Sequence, residues 1–224
     1  MLFGILVLLA AVLVLASSGH RGPTDWEAAS GSAAGGSRVP ASGLPTPERG
    51  SSVGAGTFLY ATVRDAPPME LIDPDARPFS LASLRGHEVL VFFGYTHCPD
   101  VCPTTMSELA SAMKKLGPAA DKVQVLFVTA DPERDTPDIL KQYVTAFDPR
   151  FLGLRGTPEQ TAQAAKDFKV LIQKNGGSDP NNYTVDHSSG TYLYDPQGKL
   201  RVYVSYGQGA DVFAHDIAEL LKPS

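Results

Sequence analysis

Cysteine is scarce in this chain. Two residues in 224 carry a thiol, Cys98 and Cys102. A chain of this length buries a core without covalent staples, so the pair is not required to hold the fold together, and the disulfide-dense class of small scaffolds is excluded. Basic charge is also short. Nineteen Lys and Arg stand against 24 Asp and Glu, for a net charge of -5, and no basic stripe runs along any segment. That composition argues against a nucleic-acid partner. Internal repeats of the solenoid kind are missing. With 43% hydrophobic residues, what remains is one globular domain with appendages.

The appendages lie at the N-terminal end. Residues 1–16, MLFGILVLLAAVLVLA, contain no charged side chain. The run is a little shorter than the ~20 residues that span a bilayer comfortably, and long for a signal-peptide core. No Lys or Arg precedes it, so the usual orientation signal is weak. No cysteine follows it directly, which excludes a lipid-anchored lipoprotein. Residues 1–19 are expected to be an uncleaved membrane anchor with the rest of the chain outside the cytoplasm. A cleaved signal peptide, ending at the small residues Ala16, Ser17 and Ser18, is the alternative. Residues 20–56 are rich in Gly, Ala, Ser and Pro and read as a flexible linker between membrane and domain.

Residues 57–224 make the domain. Residues 58–63 are a candidate strand, and 69–72 with 78–81 read as a hairpin turning at Asp73, Pro74 and Asp75. Residues 89–93, VLVFF, form an unbroken apolar run, the mark of a buried strand. Pro99 and Pro103 then frame the cysteines. Proline is tolerated at the first helical position and pushes the residue before it out of the helical region. Cys98 is therefore placed at the strand exit and Cys102 at the cap. A helix follows from Pro103 through Met106, Leu109, Met113 and Leu116, until Gly117 and Pro118 stop it.

Residues 123–129, VQVLFVT, are a second buried strand. Thr136 caps a helix from Pro137 to about Phe147, and Thr157 with Pro158 repeats the device to about Phe168. Residues 171–186 are polar and rich in Gly and Asn, an excursion from the core. Residues 191–194 and 200–205 pair around the turn at 195–198, and 211–221 close the chain as an amphipathic helix. This order is a mixed-sheet α/β plan. With cysteines at the end of the first long strand it is the thioredoxin-like plan: a mixed sheet flanked by helices, with an N-terminal β-hairpin and an excursion inserted before the final β-hairpin.

A thiol at a helix N-terminus lies near the positive end of the dipole and near unpaired N–H groups, and both favour the thiolate. Two such sulfurs one turn apart close a disulfide or hold a soft cation; a structural disulfide or two buried thiols is the plainer reading. Of five histidines, His20 lies in the linker, His215 on the closing helix and His87 in a loop. His97 adjoins Cys98, and neighbours on an extended segment point to opposite faces, which makes it a poor co-ligand. His187 lies in a loop feeding the strand at Thr191, across from the cysteines in a thioredoxin plan. Two thiolates and one imidazole suit Cu(I) and accommodate Cu(II). Zinc uses the same groups but wants a fourth protein ligand in a structural site, or an open position in a catalytic one. Asp131, Asp135 and Asp186 are candidates for an outer-shell or axial role, with a solvated loop acid or helix cap as the plainer reading of Asp135.

Three segments, GYTHCPDVCPTTM (94–106), DPERDTP (131–137) and VDHSSGTYLYDPQGKLR (185–201), resemble the signature segments of the SCO/SenC family, copper metallochaperones of cytochrome c oxidase assembly. They fall in the family's order, and the resemblance covers about residues 58–221. It implies a thioredoxin-like, membrane-anchored domain facing the periplasm or the mitochondrial intermembrane space. It implies copper, as Cu(I) and Cu(II), bound by Cys98, Cys102 and His187 and delivered to the dinuclear copper centre of cytochrome c oxidase subunit II. An upstream periplasmic copper donor and a thioredoxin-like reductant are implied as partners. The Ala- and Gly-rich linker and lack of a transit peptide point to a bacterial source, hence an inner-membrane anchor and a periplasmic domain. One departure is that residues 81–84 lack the acid often found there in thioredoxin-like relatives. The alternative function is a thiol–disulfide oxidoreductase that reduces the cysteines of the oxidase copper site, Cys98 attacking and Cys102 resolving the mixed disulfide; the two roles are compatible. A peroxidase reading has only Thr96 and Arg134 behind it.

Overall fold

The computed structural model describes residues 57–176 and 182–222, with side chains from Arg64 onward. The expected anchor (1–19) and linker (20–56) lie outside the described residues, as do residues 177–181 of the excursion. Among the described residues no helix is long and apolar enough to cross a membrane.

Strand β1 (Thr57–Asp65) is followed by a short hairpin, β2 (Glu70–Ile72) and β3 (Pro78–Ser80). Strand β4 (Glu88–Gly94) leads into α1 (Val101–Leu116) and β5 (Val123–Thr129). Then come α2 (Pro137–Phe147), β6 (Leu152–Leu154) and α3 (Pro158–Phe168). A second hairpin, β7 (Ile172–Gly176) and β8 (Tyr183–His187), precedes β9 (Thr191–Tyr194), β10 (Lys199–Val204) and α4 (Ala210–Leu220). The main sheet runs β1-β10-β9-β4-β5-β6. Strands β4, β5 and β6 are parallel neighbours, while β9, β10 and β1 continue the sheet antiparallel on the other side of β4.

The apolar run of β4 is continuous because both faces of that strand are covered; all seven of its residues are buried. Leu90 and Phe92 pack with Met106 and Leu109 of α1, Leu140 of α2 and Phe213 of α4. Val89, Val91 and Phe93 face the other way, toward Leu71 of β2 and Phe168 of α3. The expected helix ends are in place. Thr136 and Thr157 accept from the backbone N–H three residues on, Gln160 completing a capping box at α3, and Gly117 ends α1 at φ 57°, a conformation glycine takes without penalty.

Four expectations need correction. Helix α1 starts at Val101 with Asp100 as its N-cap, so Cys102 lies inside the first turn and not at the cap. First-turn N–H groups have no intrahelical partner, so proline fits anywhere in that turn, and Pro103 marked the turn rather than its first residue. Strand β6 went unread because three residues are too few to show a period. The polar excursion is a hairpin, paired from Ile172↔His187 to Gly176↔Tyr183; it buries Val185 alone among its strand residues, so its composition looks like loop. His187 accordingly ends a strand and is not in a loop.

Glu88, at the far end of β4 from the cysteines, has no solvent exposure, and neither carboxyl oxygen has a hydrogen-bond partner. Burial, with repulsion from Asp195 and Asp216, pushes its carboxyl up to about 9. The folded state therefore holds this proton where the unfolded chain releases it above an ordinary value of 4.5. Stability from this group is full below that value, and falls by about 1.4 kcal/mol per pH unit until the folded value is passed. Glu88→Gln, which mimics the protonated form, should flatten the pH dependence of unfolding between about pH 5 and 9 and stabilise the chain by roughly 3 kcal/mol at pH 7. Denaturant melts across that range are the check; an unchanged slope would show that Glu88 is ionised in the fold.

Candidate metal centre

The parallel strands β4 and β5 deliver their C-terminal ends to one edge of the sheet, where ligands collect in open α/β sheets. Gly94 ends β4 because no side chain fits there. A Cβ would lie 2.9 Å from Cys102 Sγ and 2.8 Å from the Phe127 ring. The chain then turns, Cys98 N–H donating to the Tyr95 carbonyl at 3.2 Å. This places half-buried Cys98 above fully buried Cys102. The backbone N–H of Cys102 donates to Cys98 Sγ at 3.5 Å, so an otherwise unpaired first-turn donor of α1 is aimed at the outer sulfur.

Strand β8 brings the third group. His187 Nε2 is 3.4 Å from Cys102 Sγ, and its Nδ1 is 3.1 Å from the Ser188 carbonyl. A carbonyl only accepts, so Nδ1 carries the proton and Nε2 presents its lone pair to the sulfurs. The ring packs edge-on against Phe92 and Tyr95, at centroid distances of 6.0 and 5.9 Å. Burial lowers the His187 pKa, opposed by the Ser188 carbonyl and Asp186, which keeps the imidazole neutral and able to coordinate. The two Sγ atoms and one imidazole nitrogen lie within 4.8 Å of one another, the one such His/Cys/Asp/Glu group among the described residues.

The expected thiolate character is corrected for Cys102. Burial pushes its thiol up, and neighbouring Cys98 and Asp135 add to the rise. The first-turn N–H of Cys102 points at Cys98 Sγ and not at its own sulfur. His97 is exposed and not part of the group. His87 is exposed as well, and His215 is half-exposed beside Asp216.

Loop 130–136 departs furthest from its expected solvated character. Asp135 is not a solvated acid. It is fully buried, accepting from Thr96 N–H at 3.1 Å, Thr96 Oγ1 at 2.6 Å and Thr129 Oγ1 at 2.6 Å. It ties the turn carrying Cys98 to the end of β5. Asp131, also fully buried, pairs with Arg134 and accepts from the Tyr183 hydroxyl at 2.6 Å. Asp186 is exposed on the outer face of β8, bonded to Asn175. Arg134 and Tyr183 carried no sequence signal for these contacts, since both depend on the hairpin folding back over the loop.

The model of the SCO1/SenC family matches residues 62–222. The chain is 38% identical over 156 residues to an SCO2-like protein of Rickettsia prowazekii, covering 69% of this chain and 74% of that one. It is 38% identical over 165 residues to the mitochondrial SCO2 homolog of Bos taurus, covering 73% and 58%. Among solved structures, ScoI of Bradyrhizobium japonicum with copper bound superposes at a TM-score of 0.63, with 37% identity, 70% of this chain and all of the other. Apo Sco1 from Thermus thermophilus gives 0.70, 38%, 77% and 100%. A third, BsSco, described as having a disulfide switch and as a member of the Sco family of cytochrome c oxidase assembly proteins, gives 0.57, 28%, 71% and 96%. These likenesses bear out the thioredoxin-like fold.

Gly94→Ala should push Cys102 Sγ and the Phe127 ring apart. Overpacking of this kind costs about 1–3 kcal/mol, and Cys102 should alkylate faster as its cover loosens. Denaturant unfolding and residue-resolved iodoacetamide labelling read both; native values for each would mean the strand end yields without moving the sulfur.

Proposed function

The chain belongs to the SCO1/SenC family, and on that premise we propose that it is a copper carrier of cytochrome c oxidase assembly, holding the metal on Cys98, Cys102 and His187. One observation carries the reading: two sulfurs and a neutral imidazole converge within 4.8 Å, with no further His, Cys, Asp or Glu in the group among the described residues. Soft sulfur donors suit Cu(I), and the imidazole extends the set to Cu(II). A structural zinc site would ask for four protein ligands.

The geometry also suits a cargo that must leave. A groove of about 420 Å³ runs over the site, lined by Tyr95, Cys98, Pro99, Asp100, Asp186 and His187. Cys98 and His187 border it while Cys102 lies beneath. A partner's ligands would meet the outer sulfur and the imidazole first, and Cys102 last. Subunit II of the oxidase is the proposed acceptor, supplied through an upstream periplasmic copper donor. Only the dithiol loads copper, so a thioredoxin-like reductant is the proposed source of that form. Loading replaces the proton of Cys102 with the metal, so affinity should rise with pH, about tenfold per unit for each thiol proton displaced.

A second reading rests on the asymmetry of the pair. Half-buried Cys98, with an N–H on its sulfur, would attack a partner disulfide and release one partner thiolate. Cys102, after losing its proton, would attack the Cys98 sulfur and release the second partner thiol. Two electrons and two protons pass to the partner, and the chain is left with a Cys98–Cys102 disulfide.

Anaerobic copper titration of the reduced full chain separates the readings. One equivalent of Cu(I) should bind, and be lost in Cys98→Ser and in Cys102→Ser. His187→Ala should weaken Cu(II) more than Cu(I). Rapid reduction of a protein disulfide without stoichiometric copper uptake would replace the carrier by the oxidoreductase. For location, we propose that residues 1–19 anchor the chain in the inner membrane with the domain in the periplasm, on the strength of the uncharged run MLFGILVLLAAVLVLA. Protease added to intact spheroplasts should digest the domain; digestion only after lysis would place it in the cytoplasm.

A further inference from the structure

Among the described residues, the hairpin that carries His187 shares no strand pairing with the main sheet. The His187 ring packs on Phe92 and Tyr95 and the Val185 N–H reaches the Tyr95 hydroxyl, while the polar contacts with the loop after β5 are concentrated at the other end of β8. Tyr183, Val185 and His187 lie on one face of that strand, by the alternation of an extended chain. Val185 packs into the core. Tyr183 is held on three sides by residues of the loop after β5. Its hydroxyl donates to Asp131 Oδ1 at 2.6 Å. Its carbonyl accepts from Arg134 Nη1 at 3.0 Å. The Arg134 guanidinium carbon sits 3.6 Å from the centroid of its ring, close range for a cation over an aromatic face. Arg134 is itself fixed by Asp131 through Nε, and its Cζ is 5.8 Å from the Tyr95 ring, which in turn packs on His187. Lys174 of β7 pairs with Glu133 of the same loop at 2.7 Å.

We propose that Asp131, Arg134 and Tyr183 form a positioning clamp that seats His187 over the two sulfurs and thereby sets the preference of the site for Cu(II) against Cu(I). The inference rests on the copper-carrier reading. Its logic is that the two ligand classes are held by different elements. The sulfurs belong to the β4–α1 junction and are fixed by Gly94 and Asp135. The imidazole belongs to a hairpin that is fixed by the clamp. Two thiolates already satisfy Cu(I), whereas Cu(II) draws on the nitrogen donor. Loosening the clamp therefore withdraws support from one oxidation state and spares the other. None of the three belongs to the group of converging ligand atoms or lines the groove over it, so they act through His187.

Tyr183→Phe removes one hydroxyl and leaves the ring under Arg134. Arg134→Lys keeps the charge and removes the planar fork. In the full chain, each should lower Cu(II) affinity about 10- to 100-fold, the usual cost of losing a group that orients a metal ligand, and shift the thiolate-to-Cu(II) absorption band and the EPR hyperfine splitting. Cu(I) affinity, read by competition with a chromophoric chelator, should stay within about threefold of native, a small part of that effect. In a His187→Ala background, Tyr183→Phe should have no further effect on Cu(II), because the clamp then has nothing to seat. Unchanged Cu(II) affinity and spectra in both variants would overturn the clamp, and so would equal loss of Cu(I) and Cu(II), which marks general loosening of the fold. If Arg134→Lys fails to fold, Tyr183→Phe decides alone. Failure of the native chain to bind either ion would instead strike the carrier reading itself.

Discussion

A sulfur with no access to water is the constraint on which the site depends. Cys102 Sγ occupies the space that a side chain at Gly94 would fill, with the Phe127 ring on the same side. The sheet beneath it must be closed and rigid for that space to stay the right size. Such a sheet follows from β4 being covered on both faces, from α1 starting at Val101, and from the Pro99 and Pro103 positions that stop the helix from starting earlier or sliding. Cys98 then has one place to go, above Cys102 and within reach of its N–H.

Loop 130–136 joins this buried sulfur to the β7–β8 hairpin. Asp135 faces back toward the β4 turn through Thr96 and Thr129, and Asp131 faces forward to the β8 hairpin through Arg134 and Tyr183. Both carboxylates are fully buried, and burial of a carboxylate is tolerated only when charge or hydrogen bonds compensate it. Asp131 has a guanidinium; Asp135 has three donors. These requirements make the loop rigid. A bracket that satisfied its own polar groups loosely would let the thiols and the imidazole drift apart.

Much of this was legible in residues alone, for a physical reason in each case. The strands at 89–93 and 123–129 are apolar on both faces and announce themselves. Thr136 and Thr157, each followed by proline, state where helices begin. Cys98 and Cys102 are the chain's only thiols, and His187 was singled out by elimination among five histidines and by the family resemblance. What stayed hidden was everything set by a long-range contact. Nothing near Asp135 in sequence says that Thr96, 39 residues away, will close on it. The β7–β8 hairpin is polar on its strands because it lies on the surface of the domain, and a strand with one buried residue has no alternation to read. Cys102 was expected to be acidic from its place at a helix terminus, but burial outweighs the dipole once the sulfur lies under the turn rather than at its rim.

That last reversal bears on which chemistry the site performs. A resolving thiol works best when its pKa lies near the ambient pH, because both the thiolate fraction and its nucleophilicity count. Cys102 is pushed the other way by burial and by the negative groups beside it, Asp135 among them. Burial thus favours its protonated form. With a metal ion on the three groups the balance would change, because its charge would offset both the desolvation and the neighbouring carboxylate and Cys102 would give up its proton to bind. His187 is arranged in the same sense: burial keeps it neutral, so it adds a lone pair without a competing positive charge. In the proposed carrier, the same burial that raises the Cys102 thiol would also make it the ligand a partner reaches last. Retention and release in such a carrier would be set by depth: the outer sulfur and the imidazole border the groove, where a partner's ligands would replace them first, and the inner sulfur would be replaced last.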